Sequence, residues 1–367
     1  MHVVIAGGGV IGCAIAYYLS LKGVEVTIVE PHVIAGSASG KSGGFLARDW
    51  CRGQPQDALA SLSFDLHDDL SRALPEDYGY RRVSTYAVAT SDKRSLGREA
   101  RDIPCWASGD CLVHQVIGTT ETTAQLIPDR FTRALFQASL DRGANLVRAS
   151  ATGIVTDDTR MAVTGVRLGS QVLACDSFVV AMGPWSVLAA QWLSMPAVYG
   201  IKSNSVILDS AADTLPAEVF FVQYEDADGE YHDPELVLRT DGSAYVCGFS
   251  DETPLPIDPG AVTVDVAQGD RLAAVASKIG PLSPERPLLA RQACYRPICE
   301  DAMPVMGAVE DIRGVFVATG HNCWGMLNAP GTGHVMADLI AEGRSDDLDL
   351  SPLRPHRLAP LHLESAG

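Results

Sequence analysis

The sequence predicts an α/β protein in which a mainly parallel, helix-flanked sheet is interleaved with an antiparallel one. Three observations carry this reading. Near the start, an apolar strand pattern runs into a glycine turn, an apolar helix and a second strand. Near the end, another short apolar strand, Gly314 to Gly320 (GVFVATG), runs into small residues and a helical pattern. Between them lie alternating runs such as VFFVQYED and ELVLRTDGSAYVCGFS, as expected of half-buried antiparallel strands.

The first element is HVVIA, His2 to Ala6, an apolar run suited to a buried parallel strand. GGGVIG, Gly7 to Gly12, follows it directly. In such a unit Gly7 makes the tight turn, Gly9 lets the backbone approach a pyrophosphate, and Gly12 lets helix and strand pack closely. The N–H groups of Val10 and Ile11, at the helix end, are placed to receive negative charge. CAIAYYLSLKG then reads as the helix, and VEVTIVE as a second strand ending at Glu30. Glu30 stands eighteen residues past Gly12, where a carboxylate can accept both hydroxyls of a ribose. Strand, turn, helix, strand and acid in this order predict a Rossmann-type dinucleotide site.

Composition bounds the function. A chain of 367 residues, 47% hydrophobic, can bury the core of a two-domain enzyme. Its net charge of −17 argues against a nucleic-acid partner, which would want clustered Lys and Arg. No apolar run reaches the roughly 18 residues of a membrane span, and MHVVIAGGGVIG reads as fold rather than as a leader. The nine scattered cysteines include no CxxC pair, so neither a metal site nor a disulfide framework is expected. A reducing, cytoplasmic setting is the expectation.

Two interleaved domains are expected. Residues 1–48, 120–195 and 290–345 would form the dinucleotide domain, residues 49–119 and 196–289 the substrate domain, and 346–367 a tail wrapped on the surface. Leu126 to Ala149 reads as an amphipathic helix with Phe131, Ala134, Leu135, Ala138 and Leu140 on its apolar face. GIVTDD and TGVRLGS predict a small β-meander, and SFVVAMGPWS a strand rejoining the parallel sheet. Thr240-Asp241-Gly242 signals a hairpin. VAQGDRLAAVASKIG reads as a helix, and Gly331 to Gly333 as the start of another, with Pro330 in its favoured first-turn place.

Several of these segments together resemble the D-amino-acid-oxidase-like family of FAD-dependent oxidoreductases, which holds glycine oxidase, sarcosine oxidases and dimethylglycine dehydrogenases. The resemblance covers GGGVIG with Glu30, SASGKSGGFLA (Ser37 to Ala47), SFVVAMGPWS, CYRPICEDAMPVMG (Cys294 to Gly307), GHNCWGMLNAPGTG and the closing DLSPLRPHR. GHNCWG and ASGKSGGFLA look closest to a poorly characterised branch of oxidoreductases. The implied fold is an FAD-binding Rossmann-type domain interleaved with an antiparallel-sheet substrate domain, and the implied cofactor is FAD.

The resemblance also implies site residues. Arg296, in CYRP, stands where the family's arginine clamps a substrate carboxylate; a structural pairing with Glu300 or Asp301 is the alternative. Ser42, Gly43 and Gly44 would run along the flavin, with Lys41 at the pyrophosphate or, more ordinarily, in solvent. Gly183, Trp185, Gly320, Gly325, Met326 and Leu327 complete the expected cofactor contacts. His321 would face substrate, or be held by backbone hydrogen bonds, beside Asn322, Cys323 and Trp324. Tyr224, Tyr231, Tyr245 and Tyr295 are pocket or packing candidates. Cys294 lies one place from a position that carries covalent flavin in sarcosine-oxidase-type enzymes. Those enzymes use a lysine on the substrate sheet to promote oxygen reactivity; Tyr245, Val246 and Cys247 stand there instead, so oxygen and another electron acceptor both stay open.

Three functions follow as expectations. The first is FAD-dependent oxidation of a small or N-substituted amino acid, by hydride transfer to flavin N5. The second is oxidation of a 2-hydroxy acid, which Arg296 would serve equally. A flavin-bound regulatory or trafficking protein with little turnover is the third.

Overall fold

The computed structural model describes residues 1–96, 104–107, 109–210, 214–282 and 288–361. Its first sheet has six strands in the order Val305–Ala308, Val315–Thr319, Ser177–Val180, His2–Ala6, Glu25–Val29 and Asn145–Val147. All neighbours are parallel except the edge strand Val305–Ala308. The central strand His2–Ala6 pairs on both sides, and Val3, Val4 and Ile5 are fully buried, as its unbroken apolar run requires.

Helices cover this sheet. α1 (Val10–Leu21) follows the glycine turn; α2 (Ala38–Lys41) is a single turn; α3 (Asp57–Ala73) and α4 (Pro128–Leu140) pack beside them. α4 buries Phe131, Ala134, Leu135 and Ala138, an i, i+3, i+4, i+7 stripe. It is shorter than the run from Leu126 to Ala149 suggests. Gly143, at φ +93°, turns the chain after Leu140, and Asn145–Val147 becomes the outer parallel strand.

The meander is present as three antiparallel strands, Gly153–Thr156, Val163–Leu168 and Gln171–Ala174. A three-stranded sheet joins Phe45–Ala47, Thr123–Gln125 and Arg81–Arg82. The large second sheet runs Leu288–Ile298, Tyr199–Asp209, Ser243–Asp251, Glu235–Leu238, Glu218–Glu225, Ser84–Ser91 and Leu112–Gly118, with Tyr231–His232 attached at Glu218–Glu225. Its hairpin at Thr240-Asp241-Gly242 joins two of these strands as the turn residues indicate. One pair departs from the antiparallel expectation: Ser84–Ser91 and Glu218–Glu225 are parallel. The long stretch of chain between them passes through the first sheet, so no hairpin constrains their direction. α5 (Val266–Ile279) packs on this sheet through Leu272, Val275, Ala276 and Ile279.

α6 (Gly325–Glu342) starts six residues before Gly331, so Pro330 lies inside the helix rather than in its first turn. Gly333 lets α6 touch α1: a Cβ there would lie 2.7 Å from the Ala14 carbonyl carbon. The tail is more than a surface wrap. Leu353 is buried, and Arg357 makes a two-pronged ion pair with Asp301 at 2.7 and 3.0 Å. The end of the expected tail, 362–367, lies outside the described residues.

Candidate active site

The carboxyl ends of the parallel strands face the second sheet across a cavity of about 570 Å³. That volume is in the usual range of ligand pockets, about 300–1,000 Å³. One end is the glycine turn. Gly7 takes φ +116°, and a Cβ there would sit 2.2 Å from the Ala181 carbonyl oxygen. Gly9 caps α1 without a side-chain bond, and the first turn holds no acid to compete for its N–H groups. Ser39 Oγ accepts the Val10 N–H at 2.8 Å. Glu30 lies at the same end, each oxygen already accepting one backbone N–H, Gly8 at 2.8 Å and His32 at 2.9 Å. A carboxylate oxygen keeps a second lone pair, so both can still receive hydroxyls.

Of the residues singled out from sequence, Gly7, Gly9, Val10, Ile11, Glu30, Ser42, Gly43, Gly183, Trp185, Gly325, Met326, Arg296 and His321 line the cavity. Gly12, Gly44, Gly320 and Leu327 do not. Gly12 packs α1 on the turn, a Cβ falling 2.1 Å from the Gly7 oxygen, and Gly44 passes as closely under Leu126. Gly320 turns at φ +75° against Cys299, and Leu327 is fully buried in the core.

Arg296 sits on the edge strand Leu288–Ile298, where the following Pro297 is tolerated. Its guanidinium donates to Asn322 Oδ1 at 3.2 Å and reaches Ser250 Oγ at 3.5 Å. Asp301 is taken by Arg357. Among the described residues no carboxylate pairs with Arg296. His321 is buried, its Nε2 bonded to Thr332 Oγ1 at 3.0 Å. Burial lowers its pKa to about 3, so the ring is neutral near pH 7 and carries no positive charge into the site.

Lys41 turns inward rather than to solvent. It lines the cavity and donates to the Ala293 carbonyl at 3.2 Å. Tyr245 also lines it, its hydroxyl donating to the Lys41 carbonyl at 3.0 Å, while Arg239 lies over its ring and donates to the Ser42 carbonyl. These bonds clamp the 41–43 loop to the second sheet. Tyr224 and Tyr295 are packing residues, and Tyr231 is exposed. Cys294 lines the cavity with its thiol pushed up to about 11, chiefly by burial.

Arg239 and the acid beside it escaped the sequence reading. Glu235 opens the strand Glu235–Leu238 and lines the cavity. Its Oε1 is buried with no hydrogen-bond partner, and burial raises its pKa to about 7. The available signal was an acid heading an otherwise apolar run, ELVL, whose other three residues are all fully buried.

A glycine turn at a helix N-terminus, an acid beyond it and a second sheet closing the far end define a dinucleotide-cofactor oxidoreductase. The family pattern of FAD dependent oxidoreductases, the DAO family, matches residues 2–339, and the chain belongs to that family. It is 28% identical to a glycine oxidase of Pseudomonas aeruginosa, the match covering 96% of this chain and 98% of that one. A Schizosaccharomyces pombe protein named only as an oxidoreductase is 26% identical over 96% of this chain and 97% of its own length. In fold, the glycine oxidase of Geobacillus kaustophilus superposes with a TM-score of 0.79, at 24% identity and 99% coverage of both chains.

The cavity fits FAD. The N-terminus of α1 suits its diphosphate. Ser42 Oγ, Glu235 Oε1, Arg296 Nε and His321 Nδ1, all on residues that line the cavity, are buried without hydrogen-bond partners among the described residues. Such orphaned atoms call for a bound polar group. Among the described residues no helix is long and apolar enough to cross a membrane.

Proposed function

We propose that this enzyme oxidises the C–N bond of a small or N-substituted amino acid. The observation that carries the reading is Arg296, a guanidinium on the cavity wall without a carboxylate partner, held in place by a neutral amide. Such a group binds a substrate carboxylate through a charge-assisted, two-pronged contact. FAD, when bound, supplies the two-electron acceptor at its N5 atom. The chain's own contribution is positioning: Arg296 fixes the carboxylate, Asn322 aims Arg296, and the clamped 41–43 loop closes one wall. The relatives named as glycine oxidases support a small amino acid as substrate. A reducing cytosol suits cysteines among which the described residues show no disulfide.

The test is anaerobic titration of the yellow protein with amino acids, N-methyl amino acids and 2-hydroxy acids, read by flavin absorbance. Bleaching by amino or N-methylamino acids is expected. Bleaching by 2-hydroxy acids alone would replace this reading, and bleaching by none would remove it. Readmitting air then separates oxygen from another electron acceptor.

A further inference from the structure

The Glu235 backbone is held in the second sheet, but its side chain makes no ion pair among the described residues. Its Oε1 presses towards Gly43, where an added Cβ would meet it at 2.8 Å. Its Oε2 has, among the described residues, only the Cys247 thiol, at 3.9 Å. Arg239, four residues on, acts on it electrostatically but forms no ion pair with it among the described residues, and instead holds the Ser42 carbonyl. The other titratable groups near it are Tyr245, Cys247 and Cys323, all of which feel its charge. Cys247 and Cys323 feel Arg296 as well, with the opposite sign. Glu235 and Arg296 therefore flank the same part of the cavity, a carboxyl group and a guanidinium cation on its wall; Lys41 lines the wall nearby.

We propose that Glu235 receives the substrate nitrogen: its carboxylate pairs with the ammonium group and takes one proton from it, while Arg296 holds the carboxylate. This deepens the amino-acid reading above and rests on it. A dipolar substrate satisfies both orphaned charges at once. The step balances. One N–H proton passes to a Glu235 oxygen, leaving a neutral amine and a carboxylic acid. FAD, when bound, would accept the Cα hydrogen with its electron pair, and the freed nitrogen lone pair would form the C=N bond. An ammonium nitrogen has no lone pair to give, so the proton must leave first. The burial that raises Glu235 to about 7 makes it a suitable acceptor near neutral pH. A 2-hydroxy acid would offer this carboxyl a neutral hydroxyl in place of a positive charge.

The experiment compares N-methylglycine with methoxyacetate, in which a neutral ether oxygen replaces the ammonium group, on wild-type holoprotein, Glu235→Gln and Glu235→Asp. Anaerobic binding or flavin reduction gives affinity, and calorimetry in two buffers of different ionisation heat gives proton release. Wild type should bind N-methylglycine with release of roughly half a proton at pH 7, because a half-protonated Glu235 must ionise. Glu235→Gln should weaken that binding on the order of 10- to 100-fold, abolish the release and leave methoxyacetate within about 3-fold. Glu235→Asp should restore part of both. Unchanged affinity and proton release in Glu235→Gln, with wild type responding to amino acids, would overturn the role of Glu235 alone. Equal losses for both probes would assign Glu235 to cofactor or wall structure and also overturn it. A wild type indifferent to every amino acid would remove the parent reading and this one together.

Discussion

His67 Nε2 lies 3.0 Å from the Met326 carbonyl oxygen and 3.1 Å from that of Leu327. These carbonyls lie four residues before Pro330 and Gly331. Pro330 has no N–H to give Met326, and the Gly331 N–H goes to Ser63 Oγ at 3.2 Å. Ser63 and His67, one turn apart on α3, thus repair the break that Pro330 makes in α6. The repaired turns include Met326, on the cavity wall, so α3 holds the end of α6 that faces the cavity. Replacing His67 by Ala leaves a hole and two buried carbonyls without donors. We expect a loss of about 2–4 kcal/mol in denaturant unfolding, with weaker FAD retention. An unchanged unfolding midpoint would remove this role.

The same histidine makes stability depend on pH. Its pKa falls from 6.5 to about 4, because burial disfavours the charged ring. Between those values the unfolded chain binds the extra proton, so stability is full above pH 6.5 and falls as pH drops towards 4, by roughly 3 kcal/mol. His321 adds a term of the same sign, and Glu235 one of opposite sign between 4.5 and about 7. The isolating measurement is therefore the difference between wild type and His67→Gln, which should shrink as pH falls from 7 to 5. A constant difference would contradict it.

Arg296→Ala should weaken carboxylate substrates by about 2–4 kcal/mol in kcat/KM, with little change in stability. Asn322 is in the left-handed region at φ +51°, so Asn322→Gly keeps the backbone unstrained and deletes only the amide that aims Arg296. A smaller loss, about tenfold in kcat/KM, is expected there. Equal losses in the two variants would mean that Arg296 acts through Asn322 and not on substrate.

The glycines of the site should separate into two kinds. Gly12→Ala would force a Cβ to 2.1 Å from the Gly7 oxygen, and Gly7→Ala is as tight at φ +116°. Both should lose FAD and unfold earlier. Gly183, at φ +54°, meets no protein atom within 4 Å of its missing Cβ but lines the cavity, so Gly183→Ala should cost about 1 kcal/mol of stability in the FAD-free protein, with any further loss read in flavin content. Thermal melts and flavin content distinguish these cases.

The local grammar of the chain determined its architecture. Apolar runs with glycine turns set the parallel strands and α1, because buried strands and a tight turn admit few residue types, and Thr240-Asp241-Gly242 set its hairpin by turn chemistry alone. The family resemblance carried the cofactor and Arg296. Tertiary structure decided the rest. Gly12, Gly44, Gly320 and Leu327 sit in cofactor motifs yet do not line the site cavity, since a motif does not say which way each residue faces. Pro330 suggested a helix start, and only donors from α3, over 250 residues away in sequence, let the helix begin earlier. Glu235 looked like an ordinary strand acid until the fold buried one of its oxygens without a partner, on the wall that also carries Arg296. Charge partners are a property of space, and sequence separation does not report them.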